Sequence, residues 1–146
     1  PYGELLLRLG DHATAKPFLV LAVANDWDNP RASYFLGVAE TELGRFDLAM
    51  TSLSRAYRLA PDDAAVVSAI ARVHAEQGKT DDAIRWYRTA LNLQPDDALV
   101  HYRLGMLLLK ATRFEEAASQ FESALRIDPE LAAAKTNLKF IQQLQQ

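Results

Sequence analysis

Three histidines, His12, His74 and His101, are the side chains of this 146-residue sequence best suited to proton transfer or metal binding. A site would need several such groups brought to one place. No short motif does this: the sequence holds no HExxH, no glycine-rich phosphate loop and no nucleophile elbow. Cysteine is absent, which excludes disulfides and thiolate zinc sites and leaves the redox compartment open. The acidic pairs Asp62–Asp63, Asp96–Asp97 and Glu115–Glu116 could supply acid–base chemistry. They recur at helix starts, however, where capping and compensation of the helix dipole explain them better. The expectation is a chain with no catalytic group, no metal and no cofactor.

The bulk composition agrees with a binding rather than a chemical role. Hydrophobic residues make up 49% and charged residues 24%, a globular balance. The net charge of −3 argues against nucleic acid as a partner, because phosphate binding needs a basic surface. No apolar run approaches the ~20 residues that span a bilayer, so membrane insertion is not expected. The opening PYGELLLRLG lacks the basic end and cleavage site of a signal peptide. Beginning at Pro1 without Met is expected of a fragment, so a cytoplasmic and a periplasmic setting both stay open.

What must position any functional residue is a repeat. Pro61, Pro95 and Pro129 are spaced 34 residues apart. Ala49, Ala83 and Ala117 keep that phase, as do Ala56, Ala90 and Ala124. One large position recurs as Leu53, Tyr87 and Phe121, one aliphatic as Leu36, Ile70 and Leu104, and one small as Gly37, Ala71 and Gly105. The small residues let two helices approach closely, and the large ones fill the space beside that contact.

Each unit reads as two helices. Asn29, Asp63 and Asp97 are N-caps for the first helices, with Pro30 suited to the first helical position. Gly44 and Gly78 offer left-handed stops, and second helices follow from about Asp47, Thr80 and Phe114. Thr112 stands where the other units have glycine, which predicts an extended helix or a less regular turn there. Gly3 and Gly10 fall in phase with Gly37 and Gly44, so the chain enters partway through a first helix. His12 is expected in the following turn, with Thr14 capping a second helix and Pro17 inside its first turn. Trp27 stands where the other units have proline, and either staples the linker to the array or stands exposed.

These features resemble the tetratricopeptide repeat (TPR) family, whose period is 34 residues. The stretch AVVSAIARVHAEQGKTDDAIRWYRTALNLQPDD is close to a full consensus unit, departing at Val67, often Trp, and His74, often Tyr. The resemblance covers nearly the whole chain and implies an all-α, right-handed solenoid of antiparallel helix pairs. It divides into a partial first repeat over 1–29, complete repeats over 30–63, 64–97 and 98–131, and a capping helix over 132–146 with Leu138 and Ile141 on its apolar side. His74 and His101 fall at packing positions, and Trp86 is expected to be partly buried.

The resemblance also implies a function: binding a protein or peptide segment in a concave groove lined by the first helices. The groove positions project onto Arg31, Tyr34, Phe35, Val38, Thr41 and Glu42, then Ala65, Ser68, Ala69, Arg72, Ala75 and Glu76. In the third unit they fall on Leu99, Tyr102, Arg103, Met106, Leu109 and Lys110, and the capping helix adds Ala133, Thr136, Asn137, Phe140 and Gln143. Of these, Arg31, Tyr34, Val38, Arg72, Leu99, Tyr102, Arg103 and Met106 are the expected contact residues. Some TPR domains clamp chaperone C-termini with Lys and Asn at set positions. Here those positions hold Tyr34, Ser68, Tyr102, Val38, Arg72 and Met106, so that role is not expected. Arg72 and Arg103 are expected to converge on an acidic group flanked by apolar residues, unless Arg72 only pairs with Glu76 on its own helix. An Ala- and Arg-rich composition with few Lys suggests a bacterial scaffold for secretion, pilus or envelope assembly. The alternatives are a substrate-recruiting region of a larger enzyme and a self-associating scaffold.

Overall fold

The first helices of the three complete repeats begin at side-chain caps, and a left-handed turn ends each of them. The computed structural model describes residues 2–144, and Gln145 and Gln146 of the expected capping tail lie outside the described residues. The order is α1 (Tyr2–Arg8), α2 (His12–Asn25), α3 (Pro30–Glu42), α4 (Phe46–Leu59), α5 (Ala64–Glu76), α6 (Thr80–Leu93), α7 (Ala98–Lys110), α8 (Phe114–Ile127) and α9 (Ala132–Leu144), with no strand among the described residues. Asn29, Asp63 and Asp97 accept from the backbone N–H of Ala32, Ala65 and Val100 at 3.0, 2.9 and 3.0 Å. The second helices α4, α6 and α8 have no side-chain cap bond. Their acidic first turns, Asp47, Asp81–Asp82 and Glu115–Glu116, compensate the dipole instead.

The turn inside each pair is one motif used four times. After α3 the N–H of Gly44 donates to the Thr41 carbonyl at 3.0 Å and that of Arg45 to Glu40 at 2.8 Å. This is the Schellman pattern, and it needs a left-handed residue at Gly44, φ 70°. Gly10 and Gly78 take φ 76° and 75° in the same turn. Thr112 corrects the sequence expectation: it adopts φ 58°, α7 ends at Lys110, and the same two bonds form at 3.0 and 2.9 Å. Packing of α7 on α8 fixes the turn, and a β-branched residue is forced into a region it disfavours.

The start of α2 is a second correction. Asp11 caps it, accepting from the Thr14 N–H at 3.1 Å, so His12 is the first helical residue. Pro17 therefore lies inside the helix, past the first turn. It is exposed, as is Ala13, whose carbonyl loses an N–H partner to it, so water can serve that carbonyl.

Within each pair the small residue of the first helix meets the large residue of the second. A Cβ on Gly37 would sit 2.5 Å from Leu53 Cγ, and one on Gly105 2.7 Å from Phe121 Cε1. Gly3 repeats the contact with Leu19. Between pairs, each second helix packs on the next first helix, α2 on α3, α4 on α5, α6 on α7 and α8 on α9. The core is thus a row of linked clusters, as stacking of units that cannot bury their own faces requires.

The two tryptophans behave differently. Trp86 is half-buried, edge-on to Tyr57 of α4 at 5.5 Å between centroids, and joins neighbouring second helices. Trp27 is exposed and yet stapled: the Arg55 guanidinium lies 3.3 Å from its ring centroid, tying the α2–α3 linker to α4.

Candidate partner-binding groove

The first helices α3, α5 and α7 lie side by side, and two hollows open between them. One of about 300 Å³ is lined by Tyr34, Val38, Ser68, Arg72, Leu99 and Arg103, among others. The other, about 510 Å³, has Tyr87, Met106, Leu107 and Leu109 as apolar walls and Arg72, Glu76, Arg103 and Lys110 as charged groups. Arg72 and Arg103 line both, so they stand on the ridge between the hollows.

Five of the eight expected contact residues therefore share one hollow, and Met106 joins the two arginines in the next. Two are elsewhere. Arg31 donates to Glu4 of α1 at 2.6 Å, lies 5.5 Å from the Phe35 ring centroid and lines a separate cleft with Leu19 and Asn29. Tyr102 is half-buried and tilted against Phe121, with centroids 5.9 Å apart, and lines neither hollow. Thr41 is buried, its hydroxyl donating to the Gly37 carbonyl at 2.7 Å. Phe35 and Leu109 pack partly into the core.

The electrostatics depart from expectation at Arg72. Its Nη1 lies 2.6 Å from Glu42 Oε1 of α3, and Glu76 on its own helix is not in that pair. The physical reason is the helix end: Glu42 closes α3, where the dipole disfavours an anion, and the neighbouring guanidinium relieves it. The hydrogen bond from Arg72 holds the Glu42 carboxyl below its ordinary range, against a partial opposing effect of burial. Burial alone would lower the Arg72 guanidinium, but the Glu42 bond and charge raise it. Arg103 is in no ion pair among the described residues; it lies near the Tyr87 phenol, whose pKa burial raises and Arg103 moderates. Tyr34 is likewise pushed up by burial.

Sequence reasoning projected Lys110 onto the groove, where it lines the hollow with Met106, but missed Tyr87 as a wall of that hollow and Glu42 as the mate of Arg72. Phase held part of the signal: Glu42, Glu76 and Lys110 are equivalent positions, so the last turn of each first helix carries a charge at the groove.

The histidines are dispersed. His101 bridges Gln120 Oε1 at 2.8 Å and the Pro95 carbonyl at 3.0 Å, binding α7 to α8. His74 is half-buried with Nδ1 unpartnered among the described residues, and burial lowers its pKa. No cluster of three His, Asp or Glu able to hold a metal occurs among the described residues. None of the described helices is long and apolar enough to cross a membrane.

A tetratricopeptide-repeat family model matches residues 2–64 and 68–132. The chain belongs to the TPR family. No curated protein sequence matches it. Among solved structures it is similar to MamA, with TM-score 0.86 and 19% identity over 99% of this chain and 85% of that one. It is also similar to a chain of the APC/C hetero-tetramer Cut9–Hcn1, with TM-score 0.89 and 22% identity over 95% of this chain and 28% of that one. The TPR domain of Arabidopsis OM64 aligns with TM-score 0.74 and 20% identity, over 78% of this chain and 94% of that domain. At these identities the likeness concerns the fold. TPR proteins are generally interaction scaffolds, and the fold of this chain supports a protein-interaction scaffold.

Proposed function

We propose that this TPR array binds an extended or helical segment of a partner protein in the concave groove lined by α3, α5 and α7. Three complete repeats, 30–63, 64–97 and 98–131, present that groove between the partial repeat 1–29 and the cap 132–146. The observation that carries the reading is the 510 Å³ hollow, apolar in its walls, at whose rim Arg72, Arg103 and Lys110 outnumber Glu76 in a chain of net charge −3. Apolar hollows with a few converging polar groups are what recognition sites are made of. An apolar partner side chain fits between Tyr87, Met106 and Leu109. An adjacent carboxylate reaches Arg103, where charge-assisted bonds fix orientation. Tyr34, Val38 and Leu99 extend contact into the second hollow. Arg72 contributes less than Arg103, because Glu42 already occupies it. Arg31 and Tyr102 support the flanking packing. Composition suggests the setting of a bacterial secretion, pilus or envelope assembly.

Selection of a displayed random-peptide library against the chain tests this. The expected consensus is a large apolar residue next to Asp or Glu. Enrichment of basic peptides, or of none, contradicts it.

A further inference from the structure

Of the two arginines that line both hollows, one already holds a carboxylate. Arg72 Nη1 lies 2.6 Å from Glu42 Oε1, whereas Arg103 is in no ion pair among the described residues. Burial raises the Tyr34 and Tyr87 phenols, and the charges of both arginines oppose it. The Arg72 hydrogen bond lowers the Glu42 carboxyl, and the charge of Arg103 adds to it. The two guanidiniums thus share one neighbourhood, and Glu42 stands inside it.

The repeat shows that stacking does not require this pair. Glu42 is in phase with Arg8, Glu76 and Lys110, and Arg72 with Val38 and Met106. The same reach of 30 positions from Glu76 ends at Met106, and from Arg8 at Val38, so no ion pair is possible at either. Glu76, which lines the larger hollow, is in no ion pair among the described residues. Asp97, which lines the smaller one, accepts from the Val100 N–H at 3.0 Å. An acid entering on the Arg72 side therefore meets the carboxylates of Glu42, Glu76 and Asp97 and a guanidinium already neutralised. On the other side Arg103 and Lys110 are in no ion pair among the described residues.

We infer that Glu42 is a specificity-determining residue of the groove: it keeps Arg72 from the ligand and confines the acidic group of a bound segment to one side of its apolar anchor, the side of Arg103 and Lys110. The inference rests on the groove reading proposed above. A ligand acid aimed at Arg72 must displace a carboxylate that packed helices hold beside it at high effective concentration. If it fails, it stays unpaired among like charges, and such repulsion discriminates against the wrong segment. The smaller hollow then takes uncharged residues against Tyr34, Val38 and Leu99.

The test pans one displayed random-peptide library in parallel against the original chain and Glu42→Gln, each shown to be folded by circular dichroism. Expected from the original chain is an acid on one side of the apolar anchor only, and from Glu42→Gln acids on both sides. A peptide of the second kind should bind Glu42→Gln at least ~10-fold more tightly than the original chain. The gain should vanish in Glu42→Gln, Arg72→Met, where the freed guanidinium is gone. A pair that only braced the repeats would change stability and leave this preference unmoved. One-sided acids from both chains, two-sided acids from the original chain, or a gain that survives Arg72→Met overturns the inference. Selection of no acidic consensus by the original chain defeats the groove reading itself, and this inference with it.

Discussion

Arg72 of α5 and Glu42 of α3 meet Nη1 to Oε1 at 2.6 Å across two neighbouring repeats, with side chains 29% and 30% exposed. The Glu42 carboxyl is held below its ordinary value of 4.5. The pair therefore stabilises the fold in full above that value and loses its contribution as pH falls through the folded-state pKa. Glu42→Gln should lower stability by about 1–2 kcal/mol at neutral pH and converge with the original chain in strong acid. Urea unfolding at several pH values measures the gap; a gap constant with pH contradicts the pairing.

Thr112 holds a left-handed turn that Gly10, Gly44 and Gly78 hold elsewhere. A Cβ at those three glycines would meet nothing within 4 Å, so the strain at such a turn is in the backbone alone. Thr112→Gly should raise stability by about 1 kcal/mol, and Gly78→Ala should lower it by a similar amount. Equal thermal midpoints for Thr112→Gly and the original chain would show that the turn carries no strain.

His74 is half-buried and its pKa is lowered by burial. The folded state then takes up a proton less readily than the unfolded one. Stability is full above the ordinary value of 6.5 and declines as pH falls through it. His74→Phe should flatten that decline between neutral and mildly acid pH. A profile unchanged by the substitution would place the dependence on other groups.

The proposed cap rests on Ile141, 0% exposed, and on Lys139, which stands in phase with Gly37, Ala71 and Gly105. A lysine there keeps a further second helix from the close approach the other pairs make. Ile141→Asp should cost at least about 3 kcal/mol, and removing 132–146 should produce self-association through bared α8. A monomeric, equally stable truncated chain would contradict the capping role.

Most of the fold was legible because repetition states each packing position several times over. Gly37, Ala71 and Gly105 opposite Leu53, Tyr87 and Phe121 announce the helix pairs. Thr112 and Pro17 misled because local preference was overridden by the packing of whole helices. The groove was harder to read. Its positions follow from phase, but which guanidinium stays available depends on side chains that meet across repeats, as Arg72 and Glu42 do 30 positions apart. Tyr102 looked like Tyr34 in phase, yet Phe121 draws it aside.

Arg103 decides the central claim, because it lines both hollows and is in no ion pair among the described residues. The direct measurement is calorimetric titration of one library-selected peptide, apolar residue beside Asp or Glu, into the original chain and into Arg103→Glu. The account predicts at least ~30-fold weaker binding, about 2 kcal/mol, as for a hot-spot residue, with the helical fold intact by circular dichroism. It also predicts a stronger salt dependence for the original chain than for the variant. Equal affinity for the two chains would contradict the groove assignment.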